Sequence, residues 1–152
     1  MPMPWTYRHA SKEFASFLAT ARDRMGLGSD NMTYTAVDGV FRTFRARLAP
    51  AQAIAFADCL PCVARAIFVF GWDVAAPPRP FARRAEMTRE VQAWRPHHNL
   101  TPENAIEATA FALWRHANHR DLAAALTEIG PEAEDFWRPD ISDPCEIEQR
   151  VI

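Results

Sequence analysis

The residues of this chain whose types and spacing could do chemistry are a cysteine pair and a few histidines. Cys59 and Cys62 form a C-x-x-C within Ala57-Asp58-Cys59-Leu60-Pro61-Cys62, and the third cysteine, Cys145, lies far along the chain. This spacing suits a redox dithiol, in which a helix N-terminus would stabilise the Cys59 thiolate and the internal Pro61 is a common companion. It also suits half of a zinc site, which needs two further ligands nearby. No βαβ pattern surrounds the pair, and Cys145 and the histidines are remote in sequence. Free cysteine commonly packs as a small apolar side chain, and that is the expectation here, with thiol or metal chemistry at Cys59 and Cys62 as the alternative.

His116 and His119 are three apart, and His97 and His98 are adjacent. Residues i and i+3 of one helix share a face, so His116 and His119 would be placed to share a metal. The H-E-x-x-H of a zinc protease is absent, however, and His119 falls where the helix should be ending, near the expected cap of the next one, and a helix C-terminus favours a cationic side chain. Nor is there a glycine-rich phosphate loop, a G-x-S-x-G, an H-x-E with P-C-x-x-C or a paired-carboxylate motif. The expectation is a non-catalytic chain with no cofactor and no metal ligand.

The elements that must position these residues are helical. Phe14, Phe17, Leu18, Ala21 and Met25 follow the i, i+3, i+4, i+7 spacing of an apolar helix face. Val37, Val40, Phe41, Phe44 and Leu48 do the same, as do Ile106, Ala110, Leu113, Trp114 and Ala117. Alternating strand-like runs are missing; residues 63–70 are β-rich in composition but have no strand partner. Thr101-Pro102-Glu103 reads as a helix start, and Pro50, Pro61 and Pro131 suit first-turn positions. Breaks fall at Gly26-Leu27-Gly28, at residues 76–80 and at residues 95–98, and the tail after Arg138 reads as irregular.

Length and composition agree with one soluble domain: 152 residues, 49% hydrophobic and 24% charged. No apolar run approaches the roughly 20 residues of a membrane span, and residues 1–12 lack a charged stretch followed by an apolar one, so secretion is not expected. Three cysteines are too few for a disulfide framework, so a reducing cytoplasm is expected. Residues 1–95 hold 13 Lys+Arg against 8 Asp+Glu, and residues 96–152 hold 4 against 11. A mildly basic half folded on an acidic half is a weak nucleic-acid signal, and neither nucleic acid nor membrane is expected as a partner.

At an offset of 70 residues, Phe41, Phe44, Arg45 and Pro61 meet Phe111, Trp114, Arg115 and Pro131, and Asp58 meets Glu128. The reading is an all-α single domain over residues 1–152, a bundle of about eight helices built from two related four-helix halves. These halves are residues 10–72 and 80–138, followed by an irregular tail over 139–152. The matched charges suggest inter-helix pairs, Arg45 with Asp58 and Arg115 with Glu128, though an anion site in each half is the other reading.

Phe44-Arg45-Ala46-Arg47-Leu48, Ala53, Leu60-Pro61, Arg65, Gly71-Trp72 and Pro77 or Pro78 together resemble the signature of a bacterial family of uncharacterised helical proteins, domain-of-unknown-function family 2267. The resemblance covers roughly residues 14–138 and implies an all-α, two-repeat fold, but no activity. Phe44 replaces the usual leucine, Ala46 a common acid, and two cysteines flank the Leu-Pro. The remaining candidate surface is Phe70, Trp72, Pro77 and Pro78, an exposed patch for a protein partner or for self-association, with Phe136 and Trp137 as its counterpart in the second half. Burial of Phe68 and Trp72 in the core is the competing reading.

Overall fold

The computed structural model describes residues 1–97 and 100–150. Among them are nine α-helices and no strand: α1 (Trp5–Arg8), α2 (Ala10–Met25), α3 (Asp30–Arg45), α4 (Pro50–Ala57), α5 (Cys62–Val69), α6 (Arg84–Ala93), α7 (Ala105–His116), α8 (His119–Ile129) and α9 (Pro131–Phe136). A 3₁₀ turn, Pro144–Ile147, interrupts a tail that otherwise has no regular structure. His98 lies outside the described residues.

Helices α3 and α7 form the centre: α7 is apolar or small over most of its surface, and α3 buries most of its length, including Asp38 and Arg45. In α3 the Ser29 side chain caps the start by accepting from the Met32 N–H, and Ala36, Val37, Val40, Phe41 and Phe44 are fully buried. Buried threonines satisfy themselves by bonding back one turn, Thr33 to the Ser29 carbonyl and Thr109 to that of Ala105, both at 2.8 Å. The close approach of α3 and α6 depends on Gly39, where a Cβ would lie 3.0 Å from Val91 Cγ1 and 3.2 Å from the Val91 carbonyl oxygen.

Packing of α2 on α7 is matched by packing of α3 on α6, and α4 packs against α8. A ring of aromatics joins the elements: Phe56 stacks on Trp137 at 5.3 Å, and Phe44 contacts Phe56, Phe136 and Trp137. Phe68 is fully buried edge-on to Phe41, as the core reading of that residue required.

Two expected boundaries shift. Helix α7 begins at Ala105, and Thr101-Pro102-Glu103 forms the preceding turn, in which the Pro102 carbonyl accepts from the Ala105 N–H. Pro61 is the N-cap of α5, whereas Pro50 and Pro131 do open their helices. The β-rich segment after Pro61 is helical because its apolar residues find a helix-shaped slot against α2 and α3.

Candidate interaction surface

Arg45, at the last turn of α3, is buried, and its Nη1 donates to the carbonyls of Phe68 at 2.9 Å and Phe70 at 3.0 Å. It does not reach Asp58. The C-terminal carbonyls of α5 lie closer and supply partial negative charge, so Arg45 caps that helix in trans. The turn that follows is fixed further by the Phe70 N–H to Ile67 and the Trp72 N–H to Val69. Gly71 takes φ 65°, a left-handed conformation costly to any residue with a Cβ.

Here the four predicted surface residues separate. Phe70 is thrown outward, 72% exposed, with exposed Val69 and Val74 near it in the chain. Trp72 turns back, half-buried against the core with the Arg45 guanidinium 5.9 Å from its ring centroid. Pro77 and Pro78 are exposed. A cleft of about 250 Å³ runs between Trp72, Pro77, Arg42 and Arg79. The expected counterpart in the second half is not a surface at all. Phe136 and Trp137 are buried, and the Trp137 carbonyl accepts from Trp114 Nε1 at 2.7 Å.

Sequence reasoning missed the arginine cluster beyond the prolines. The Arg79 N–H donates to the Ala46 carbonyl at 2.8 Å, which lays the linker along the end of α3. Glu90 then accepts from buried Arg47 at 2.6 and 2.7 Å and from Arg79 at 3.2 Å. The Arg47 bonds, more than the opposing burial, hold the Glu90 carboxyl below its ordinary range. Arg84 bonds the C-terminal carbonyls of Asp135, Phe136 and Arg138, capping α9 as Arg45 caps α5. Between these groups lies a cleft of about 880 Å³, lined by Phe81, Met87 and Phe136 among others. The run Arg79, Arg83, Arg84 was the available signal, obscured by the arginine-rich composition of the whole chain.

The cysteine pair straddles a junction between helices. Cys59 sits past the C-terminal end of α4, not at a helix N-terminus, with its thiol 3.5 Å from the carbonyls of Ala55 and Asp121. Burial, then the charges of Asp121 and Asp58, push its pKa up, opposite to the shift an activated thiolate needs. Cys62 is the one that opens α5, and its thiol donates to the Thr6 carbonyl at 3.4 Å. Both are free thiols, each with a separate neighbour.

His116 and His119 do not share a helix face, since α7 ends at the first and α8 begins at the second. The Thr20 hydroxyl gives its one hydrogen to the Ser16 carbonyl, so its oxygen accepts from His116 Nε2–H at 3.2 Å. Burial, with Arg115 and Arg150 adding to it, lowers the His116 pKa to about 4. His119 Nε2 donates instead to the Trp114 carbonyl at 2.6 Å. Among the described residues, no three His, Cys, Asp or Glu side chains gather where they could hold a metal. Arg115 does not pair with Glu128 either; Glu128 is exposed on α8, while Arg115 faces α2 beside Thr20 and Arg24.

The class so defined is an all-helical bundle in which arginines from other elements cap the ends of two short helices. A family model described as "Uncharacterized conserved protein (DUF2267)" matches residues 14–136. The match spans most of the chain, and the protein belongs to that family. No curated protein matches it. No helix among the described residues is long and apolar enough to cross a membrane.

Proposed function

We propose that this chain is a non-catalytic cytoplasmic module that works by binding another protein, with residues 70–78 as the contact ridge. The observation that carries this reading is Phe70, a large aromatic 72% exposed on a backbone fixed by Arg45 and Gly71. An exposed aromatic on a rigid turn gains affinity because little conformational freedom remains to be lost on binding. The arginines beside the ridge are already paired, Arg42 with Asp38 at 3.1 Å and Arg79 with Glu90 at 3.2 Å, so the apolar surface of Val69, Phe70 and Val74 supplies the contact.

The two-halves reading is kept as part of the proposal. Shifting α2–α5 by 70 residues lays them over α6–α9, and exchanging the halves converts the α2–α7 contact into the α6–α3 contact. Only the first half presents an outward aromatic after its fourth helix, so one ridge per chain is expected.

The test uses native-host extract and sedimentation. Wild-type protein should travel in a complex of defined stoichiometry, either with one other protein or with itself. Phe70→Asp should return it to the monomer with an unchanged circular dichroism spectrum, and Lys12→Asp should not. A complex that survives Phe70→Asp, or no complex at all, refutes the ridge.

A further inference from the structure

Away from that ridge, α2 and α7 flank a cleft of about 470 Å³ lined by Ser16, Thr20, Asp23, Arg24, Arg115 and Arg150. The tail is fastened there by a bond from the Arg150 N–H to the Arg115 carbonyl at 2.9 Å, which carries the Arg150 side chain to the end of α7. The charges do not cancel. Arg24 is held by Glu107 at 2.8 Å and by the Asp140 carbonyl, while Asp23 has Arg22 3.7 Å away. Neither Arg115 nor Arg150 has an acidic partner among the described residues, and Arg115 Nε is buried with no acceptor at all.

The fold thus brings two guanidinium groups together and leaves both uncompensated, beside two hydroxyl residues and the face of Phe111. The Arg24 and Arg115 guanidiniums lie 4.2 Å and 5.5 Å from that ring's centroid. We propose that this cleft binds a phosphomonoester of a small molecule, with Arg115 and Arg150 as the anion ligands. Two guanidiniums match the charge of a phosphate dianion, and their planar forks suit bidentate bonds to its oxygens. The volume lies within the range of small-molecule sites, which leaves room for an organic part beside Ala19; Phe111 itself is only 8% exposed, with the Arg24 and Arg115 guanidiniums over its ring. Ser16 is placed to add a hydroxyl donor. Thr20 is not, because its hydrogen is committed to the Ser16 carbonyl.

The probe is inorganic phosphate, titrated into the full-length protein at constant ionic strength and followed by calorimetry and by the imidazole resonances of His116. One saturable site is expected, with the His116 pKa rising as the nearby positive charge is neutralised. Arg150→Gln, an exposed position that should fold normally, and Arg115→Gln should each weaken binding by at least about tenfold. Arg89→Gln, on α6, should leave it unchanged. Failure to saturate by 20 mM on the order expected for a weak phosphate site, or saturation unaffected by Arg150→Gln, overturns the proposal.

Discussion

The His116 pKa of about 4 makes acid sensitivity the sharpest quantitative consequence of this fold. Unfolding restores His116 to its ordinary 6.5, so between about pH 6.5 and pH 4 the unfolded chain binds a proton that the folded chain refuses. Stability from this group is therefore complete above pH 6.5 and is lost as pH falls towards 4. Linkage gives a cost of about 0.2 kcal/mol at pH 7 and about 2 kcal/mol at pH 5. Glu90 does not confuse this window, because its lowered pKa acts only below the ordinary carboxylate range. Urea unfolding at the two pH values, read by the fluorescence of the five tryptophans, should show the wild type losing about 2 kcal/mol. His116→Leu keeps an apolar group against Phe17 and cannot titrate. It should be less stable at pH 7, since Thr20 loses its donor, yet lose little more on going to pH 5. A wild type and variant with parallel pH dependence would refute the placement of His116 as a buried neutral imidazole.

Three further outcomes follow from particular contacts. Gly39→Ala gains up to about 1 kcal/mol of helix propensity, but its Cβ meets the Val91 backbone oxygen, which cannot rotate aside. Chemical denaturation should therefore show a net loss of about 1–2 kcal/mol, since overpacking prevails. Arg45→Met removes both bonds to the end of α5 and should cost about 2–4 kcal/mol, with hydrogen exchange accelerated at residues 67–72 before the rest of α5. Cys59, its pKa raised above 9, should be under about 1% thiolate at pH 7 and slow to alkylate; stability should fall as pH rises through that raised value, and alkylation kinetics with alkaline denaturation check both.

Much of the helical layout was legible because periodic apolar residues leave a strong trace. Phe17, Leu18, Ala21 and Met25 are all buried on α2, and Val37, Val40, Phe41, Phe44 and Leu48 are buried around α3. The polar contacts were not legible. Arg45 and Arg115 match at the 70-residue offset, yet one caps α5 and the other faces a cleft with no acid paired to it. Periodicity says which side of a helix a residue lies on, but not whether a carbonyl or a carboxylate waits there. The change of helix near His119 was legible, since that position reads as the end of one helix near the cap of the next, and α8 begins there after a two-residue break. Phe70 and Phe68 differ by two positions in an apolar run, and only the end of α5 at Val69 decides that one is exposed and the other buried.

The ridge is tested most directly by a photo-reactive amino acid placed at position 70 in the native host, with exposed position 12 as the control. The account predicts one dominant crosslinked species from position 70, lost when Val74→Asp is added, and none from position 12. Equal, diffuse crosslinking from both positions would contradict it.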